Sequence, residues 1–293
     1  MSNIKNSFEL LRPRQWLKNA LIMFPLVFSG HLMEANQFFA AIITTIAFCS
    51  LVSSVYIFND LSDILRDEHH PVKKNRPLTA KKISPEFAQG LAGVLLIVGL
   101  SMGLMVGKKV AIVMLLYLFL HFIYNWRVRD WVVVDVLLIA LGFQLRIWAG
   151  SMAVGVLPTV WLELTVFLLS LFIGFIKRRG EILTLQEKAP QHRLSLSGYQ
   201  LLPLDMIIIL LSVIIVVSYV IYTFSRDLMF RVGNDHMFLS SVFVLFAVGR
   251  YLYLVYATKQ GEDAPELILK DFPLLLNIFL WSMSIYLIMY LHL

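Results

Sequence analysis

The chain is 293 residues long, 59% of them hydrophobic and 15% charged, and its formal net charge is +6. Its mean hydropathy is +0.76, whereas a water-soluble domain is about half apolar and about a quarter charged. A single cysteine, Cys49, excludes an intramolecular disulfide bond and a cysteine-based zinc site. The composition therefore predicts an all-α, polytopic membrane protein rather than a soluble one.

A transmembrane helix needs about 20 mostly apolar residues, and nine stretches satisfy or approach this requirement. The nine predicted spans are 16–33, 37–58, 87–106, 110–126, 131–154, 158–176, 203–224, 237–257 and 272–292. The first is the weakest because Lys18 and Pro25 lie inside it, and we interpret it as a retained helix rather than a signal peptide. Short connections between the spans, with no soluble appendage, predict a single domain over residues 1–293.

The basic residues are distributed unequally between the two sets of alternate loops. Most of the 25 Lys and Arg residues fall in the N-terminal segment and in every second loop. Because cytoplasmic loops are enriched in Lys and Arg, this predicts a cytoplasmic N-terminus and, with nine spans, a C-terminus on the other side of the inner (plasma) membrane. Topology thus explains the basic excess, and we expect no nucleic-acid partner.

An acidic run, Asn59-Asp60-Leu61-Ser62-Asp63-Ile64-Leu65-Arg66-Asp67, lies at the predicted cytoplasmic end of the second span. Asp60, Asp63 and Asp67 are spaced i, i+3 and i+7, so on a continuing helix they would share one face. Mg²⁺ is typically held by one or two carboxylates together with oxygens of a substrate phosphate. The run predicts a magnesium–diphosphate site facing the cytoplasm; the alternative is a solvated helix end with ordinary surface charges.

Basic residues follow the acidic run at once, with Lys73, Lys74 and Arg76 in the segment 69–78. Arg offers phosphate a planar set of donors, and Lys offers a point charge. Bases over the free oxygens of a metal-bound diphosphate would stabilise the charge of a departing pyrophosphate. The alternative is that these bases only reflect the topology.

These motifs resemble the UbiA superfamily of intramembrane prenyltransferases and, within it, the decaprenyl-phosphate phosphoribosyltransferase branch. The matching stretches are Arg12–Asn19, Asn59–Asp67, His70-Pro71, Arg76-Pro77, Asp135-Val136, Gly142–Arg146 and Lys177–Glu181. The resemblance also leads us to expect a glycine near position 81, where this chain has Lys81.

The loop after the sixth predicted span carries the branch assignment. Aromatic prenyltransferases of the superfamily have a second acidic motif there, Asp-x-x-x-Asp, whereas this chain has Lys177-Arg178-Arg179-Gly180-Glu181 and then His192-Arg193. The resemblance therefore implies a metal-bound donor, 5-phosphoribosyl diphosphate, and a separately bound acceptor, a polyprenyl phosphate. The acceptor would attack C1 of the sugar through an oxocarbenium-like transition state and release pyrophosphate.

Two other functions stay open. An aromatic prenyltransferase with a polyprenyl diphosphate donor is the alternative within enzymes. A transporter or lipid-binding protein is the alternative outside them, and it is disfavoured because we find no clear inverted repeat and the polar clusters crowd one membrane boundary.

The expected site residues follow from the motifs and the resemblance. The candidate Mg²⁺ ligands are Asp60, Asp63 and Asp67, with Asn59 orienting the group. Asp135 lies about one turn inside the fifth span and is a further catalytic candidate, because an ionisable residue within a span is a functional hypothesis by default. The substrate-binding candidates, most of them basic, are Lys18, Lys73, Arg76, Lys177, Arg178, Glu181 and Arg193. To Tyr199, at the membrane boundary, we assign no chemistry.

Overall fold

The computed structural model describes residues 2–68, 73–126, 128–185, 194–233, 235–257, 267–268 and 270–291. The regular elements within these ranges are helices, as the composition predicts. The α-helices are α1 (Ser2–Leu10), α2 (Phe24–Phe28), α3 (Ala35–Ser62), α4 (Ile64–Asp67), α5 (Pro85–Val106), α6 (Lys108–Trp126), α7 (Val134–Val154), α8 (Val160–Leu185), α9 (Leu201–Thr223), α10 (Arg226–Val232), α11 (Ser241–Ala257) and α12 (Phe272–Tyr290). The 3₁₀ segments are Pro13–Met23, Lys73–Asn75, Val128–Asp130, Leu194–Gly198 and His236–Ser240.

Eight helices in the described ranges are long and apolar enough to cross a membrane, namely α3, α5, α6, α7, α8, α9, α11 with the 3₁₀ turn before it, and α12. They coincide with the second to ninth predicted spans. Large apolar side chains such as Ile97, Phe119 and Leu202 are exposed on them. Such exposure suits helices that are surrounded by lipid, because the lipid tails are apolar. A helix also satisfies its own backbone hydrogen bonds in that environment. The polytopic all-α class is confirmed.

The first predicted span differs from the others in its geometry. Residues Pro13–Met23 form a 3₁₀ helix, and only Phe24–Phe28 continue it as an α-helix. At the usual rise per residue the segment is roughly 30 Å long, enough to cross the hydrocarbon core. It therefore has the length of a ninth span without the regular helix. The segment packs closely on α7, since a Cβ atom at Gly150 would lie 2.0 Å from the carbonyl oxygen of Ile22.

The chain divides into two compact units, each with its own core. The first contains Met1–Asn125 and Leu145–Pro158. In its core, Phe48 and Leu51 of α3 are buried with Met114 and Tyr117 of α6. Helix α5 packs closely on α3 because Gly99 has no side chain: a Cβ atom there would lie 2.9 Å from the carbonyl oxygen of Ala47. This packing holds α3, whose end carries the acidic run.

The second unit contains Trp126–Gln144 and Thr159–Leu293. Its core is built mainly from α8, α9 and α11, with Phe172, Ile208, Ile215 and Tyr251 among the buried side chains. The start of α12 is fixed by Asp271, whose Oδ1 accepts a hydrogen bond of 2.9 Å from the backbone N–H of Leu274. Such a cap satisfies one of the N–H groups that the first helical turn leaves without an intrahelical acceptor.

Candidate active site

Two of the three predicted metal ligands converge on one arginine in the first unit. Nη1 of Arg76 donates hydrogen bonds to Oδ1 of Asp60 at 3.0 Å and to Oδ2 of Asp67 at 2.5 Å. The Asp60 and Asp67 side chains are only 6% and 3% exposed. Buried carboxylates are costly unless a cation compensates them, and here the guanidinium of Arg76 is that cation.

The acidic run does not continue as a single helix. Helix α3 ends at Ser62, and Asp63 has φ −101° and ψ 7°, after which α4 begins at Ile64. The break removes the shared helix face predicted for Asp60, Asp63 and Asp67. Within the described ranges, no group of three or more His, Cys, Asp or Glu side chains is placed to hold a metal ion.

Arg12 is a second cation at Asp60, and the sequence argument did not assign it to the site. Its Nη2 donates a hydrogen bond to Oδ1 of Asp60, and its guanidinium lies 4.8 Å from the centroid of the Tyr56 ring. Burial lowers the pKa of Arg12 from its ordinary value, and the charge of Asp60 opposes that shift. The only signal for Arg12 in the sequence was its place at the start of the first matching stretch.

The segment that carries Arg12 is tied to α3 by side-chain hydrogen bonds. Nε1 of Trp16 donates to Oγ of Ser53 at 2.9 Å, and that hydroxyl donates to the carbonyl oxygen of Leu11 at 2.8 Å. Arg12 itself is left-handed, with φ 53° and ψ 59°. A left-handed arginine is uncommon, and the neighbouring bonds to α3 hold this bend, which directs the side chain to Asp60.

A tight turn positions Arg76. The backbone N–H of Ala80 donates to the carbonyl oxygen of Arg76, and that of Lys82 donates to the carbonyl oxygen of Pro77. Lys81 has φ 57°, in the left-handed region that favours glycine. The expectation of a glycine at this position thus has a conformational basis, although this chain carries lysine there.

The other candidates of the first unit lie around this cluster. Oδ1 of Asn59 accepts a hydrogen bond of 2.6 Å from Nδ2 of Asn125 at the end of α6, which fixes the asparagine that precedes Asp60. Lys18 is half-buried in the 3₁₀ segment. Lys73 begins a 3₁₀ turn, but its side chain lies outside the described part of the structure.

A second charged cluster, in the second unit, contains Asp135, Arg178 and Glu181. Nε of Arg178 lies 2.7 Å from Oδ2 of Asp135, and its Nη1 donates to Oε2 of Glu181 at 2.5 Å. The Asp135 and Arg178 side chains are 0% and 1% exposed. The sequence predicted a phosphate contact for Arg178, whereas the structure places its guanidinium between two carboxylates.

Tyr199 is a residue of this second cluster that the sequence argument left without a role. Its hydroxyl donates to Oδ1 of Asp135 at 2.7 Å and accepts from the backbone N–H of Val133, also at 2.7 Å. Burial, followed by the hydrogen bond to Asp135, raises the pKa of Tyr199 above its ordinary value, so the hydroxyl keeps its proton. Ser195 adds a longer contact of 3.5 Å to Asp135.

Val133 is strained at the point where Tyr199 holds it. Its φ is 68°, which is a genuine outlier for a β-branched residue. The strain persists where surrounding contacts determine the conformation, and such positions cluster at functional sites. The hydrogen bond from Val133 to Tyr199 joins the residue before α7 to the segment that directly precedes α9.

The sequence placed Lys177–Glu181 in a loop, whereas α8 continues through them to Leu185. Two basic candidates of the predicted loop remain. Lys177 of α8 is exposed, next to the buried Arg178. Arg193 lies outside the described residues.

The residues of the first cluster fit a divalent cation. Asp60 and Asp67 offer the carboxylate oxygens that Mg²⁺ prefers, and both already contact a single positively charged nitrogen atom of Arg76. Asp63 follows at the end of α3 as a third carboxylate in the chain. Among the described residues, Asp60 and Asp67 are therefore the carboxylates best placed to hold a metal ion.

Comparison with known proteins agrees with the architecture. Residues 22–179 match the model of the UbiA prenyltransferase family. The decaprenyl-phosphate phosphoribosyltransferase of Mycolicibacterium smegmatis is 30% identical over 92% of this chain and 87% of the relative. That of Corynebacterium glutamicum is also 30% identical, over 96% of this chain and 86% of the relative.

A solved structure shares the fold. The UbiA homologue from Archaeoglobus fulgidus bound to GPP and Mg²⁺ superposes with a TM-score of 0.72 over 97% of this chain and 99% of that one. Its sequence identity is 19%, so the likeness concerns the fold alone.

Proposed function

Because this chain belongs to the UbiA prenyltransferase family and is an integral membrane enzyme of that type, we propose that it transfers 5-phosphoribose from phosphoribosyl diphosphate to a polyprenyl phosphate. Relatives named for that reaction in decaprenyl phosphate match nearly the whole chain. The observation that carries the proposal is the convergence of two buried aspartates on Arg76. It suits a metal-bound diphosphate donor.

The second support is the Lys177–Glu181 stretch, which the sequence placed in a loop and which the structure places within α8. Glu181, the single acid of the Lys177–Glu181 stretch, is paired with Arg178, so this stretch offers no second pair of carboxylates for further metal ions. The exposed Lys177 is suited instead to an anionic acceptor. A polyprenyl phosphate is an acceptor of this kind.

In the proposed reaction, an oxygen of the polyprenyl phosphate forms a bond to C1 of the ribose while the bond from C1 to the diphosphate breaks. The leaving group is pyrophosphate. The acceptor is already anionic, so the reaction needs no strong general base. Bound by Asp60 and Asp67, with Asp63, Mg²⁺ would neutralise charge on the leaving diphosphate.

The remaining candidates bind and orient the substrates. Arg76 and Lys73 follow the acidic run and contact diphosphate oxygens, while Lys177 binds the acceptor phosphate. Arg178 is paired with both Asp135 and Glu181, so these three residues position the basic end of α8. Lys18 and Arg193 complete the proposed set.

The assay that tests the proposal uses purified full-length protein with phosphoribosyl diphosphate labelled in the ribose, Mg²⁺ and a polyprenyl phosphate. We expect labelled lipid and released pyrophosphate, and no labelled lipid after chelation of the metal. Asp60→Asn should reduce the rate by about a hundredfold or more, whereas Asp130→Asn should retain it. If no labelled lipid forms and an aromatic acid is prenylated from a polyprenyl diphosphate, the alternative enzyme is correct.

We also propose that the site faces the cytoplasm and that the N-terminus lies on the same side of the plasma membrane. The support is the distribution of Lys and Arg between alternate loops. A cysteine introduced at the exposed Lys74 in a Cys49→Ser background provides the test. An impermeant thiol reagent should label it in inverted vesicles and not in right-side-out ones; the reverse pattern would overturn the orientation.

A further inference from the structure

Among the described side chains of the first unit, the buried carboxylates of Asp60 and Asp67 are already paired with two arginines. Oδ1 of Asp60 accepts hydrogen bonds from both Arg12 and Arg76, and Arg76 also bonds to Asp67. Two carboxylates therefore face two guanidinium groups. The ordinary charges of these four side chains sum to zero before any ligand binds.

A divalent cation that enters this cluster alone meets an electrostatic obstacle. It must compete with Arg12 and Arg76 for the same carboxylate oxygens, and it adds two positive charges to a neutral, largely buried group. A displaced arginine in such a site needs a new anionic partner, because an uncompensated buried charge is costly. The metal alone supplies none.

A diphosphate that enters alone meets the converse obstacle. Its oxygens need donors, yet Nη1 of Arg76 is engaged by both carboxylates. When the metal and the diphosphate enter together, the metal takes the carboxylates and the diphosphate takes the guanidinium groups. The charge of each newcomer is then compensated.

The arginine side chains are the more exposed partners in the cluster. The Asp60 and Asp67 side chains are only 6% and 3% exposed, whereas those of Arg12 and Arg76 are 22% and 28% exposed. The arginines reach the cluster from separate segments, Arg12 from before the first 3₁₀ helix and Arg76 from the turn after α4. Rotation of a long side chain about its own bonds is sufficient for the exchange.

We propose that Arg12 and Arg76 exchange partners on loading, from the carboxylates of Asp60 and Asp67 to the diphosphate, and so make metal binding and diphosphate binding mutually dependent. This rests on the proposed function and adds Arg12 to the diphosphate-binding residues. Each ligand should strengthen binding of the other by the same factor, since coupling between sites is reciprocal. A factor of about ten or more is expected from the usual size of such couplings.

The test measures Mn²⁺ binding to the purified full-length protein by electron paramagnetic resonance, with and without inorganic pyrophosphate. Mn²⁺ is a suitable probe because it shares the preference of Mg²⁺ for carboxylate ligands. The variants are Arg12→Gln and Arg76→Gln. Their controls, Arg14→Gln and Lys82→Gln, remove one exposed positive charge from the same two segments.

In the wild-type protein, Mn²⁺ alone should bind weakly, and pyrophosphate should tighten it about tenfold or more. Arg12→Gln and Arg76→Gln should raise the affinity for Mn²⁺ alone about tenfold. They should also reduce the factor by which pyrophosphate increases the affinity for Mn²⁺. Damage to the fold would weaken both quantities. Arg76→Lys keeps the charge and should leave binding of Mn²⁺ alone near the wild-type value.

Three results would overturn the exchange, and the first two differ in whether the proposed function also fails. If pyrophosphate tightens Mn²⁺ in the wild type and equally in Arg12→Gln and Arg76→Gln, the exchange fails while the proposed function stands. If the wild type binds no Mn²⁺ under either condition, the metal site of the proposed function fails as well. Controls that behave like the two variants would also overturn it, because general charge would then be the cause.

Discussion

Nε of Arg178 lies 2.7 Å from Oδ2 of Asp135, and both side chains are almost fully buried. The pair joins α8, directly after the exposed Lys177, to the first turn of α7. A buried ion pair adds little stability relative to an apolar pair, but the loss of one partner is strongly destabilising because it leaves the other charge uncompensated. The position of the basic end of α8, Lys177–Glu181, therefore depends on Asp135.

Asp135→Asn should lower the free energy of unfolding by about 3 kcal/mol, since the buried Arg178 then loses one of the two carboxylates that it contacts in the described part of the chain. Equilibrium unfolding in mixed detergent micelles measures this change. The control is Asp205→Asn, which breaks the more exposed pair with Arg179 and should cost about 1 kcal/mol or less. Equal losses in the two variants would contradict the importance assigned to the buried pair.

Tyr199→Phe should lower the free energy of unfolding by about 1 kcal/mol, because Asp135 and the N–H of Val133 each lose a hydrogen-bond partner. Folding raises the pKa of Tyr199. Its contribution is therefore fully present below the pKa of free tyrosine, about 10, and is lost as the pH rises through the higher pKa of the folded state.

Unfolding measurements on Tyr199→Phe and wild type should thus give the same difference between about pH 6 and 9. Tyr253→Phe is the control, because Tyr253 is exposed and its ring contact with Arg250 is retained by phenylalanine. A difference for Tyr199→Phe that shrinks between neutral pH and pH 9 would disagree with a protonated, donating hydroxyl.

Gly150→Ala should destabilise the first unit by about 1–3 kcal/mol, as overpacking usually does. The added Cβ atom would lie 2.0 Å from the carbonyl oxygen of Ile22, and neither backbone can yield cheaply. Gly90→Ala in α5 is the matched control, since no atom lies within 4 Å of its Cβ position. That variant should gain about 0.5–1 kcal/mol. Thermal unfolding that ranks the two variants in the opposite order would refute the close packing.

Lys81→Gly should raise the free energy of unfolding by about 0.5 kcal/mol. It relieves a left-handed lysine with φ 57°, and the larger entropy of glycine in the unfolded chain offsets part of the gain. Lys82→Gly removes the same charge at a neighbouring residue without positive φ and should be destabilising. A shared sign for the two changes, measured by thermal unfolding, would show that strain at Lys81 is not the cause.

Local patterns in the sequence were enough to predict the membrane spans. Eight apolar stretches, each long enough to cross the hydrocarbon core, became helices because a lipid-exposed backbone must satisfy its own hydrogen bonds. The segment around Lys18 and Pro25 was the weak prediction and became a 3₁₀ helix over most of its length. It packs against Gly150 of α7, a tertiary contact that the local sequence does not reveal.

The site shows the same division. The spacing predicted that Asp60 and Asp67 lie together on one face of a continuing helix. Helix α3 ends between them, and they are joined instead by their hydrogen bonds with Arg76. Arg12 and Tyr199 escaped assignment because each reaches its carboxylate across a long separation in the chain. No local periodicity carries such a contact.

The length of an apolar segment and the position of a charged residue are local quantities, so the sequence alone predicts an apolar, all-α membrane protein whose charges are concentrated in a few segments. Which of these charges form ion pairs depends on the tertiary structure. Each buried carboxylate pairs with the cation that tertiary packing places beside it. Asp60 pairs with Arg12 and Arg76, and Asp135 pairs with Arg178. The high cost of an uncompensated buried charge makes these pairings the features on which the proposed chemistry depends.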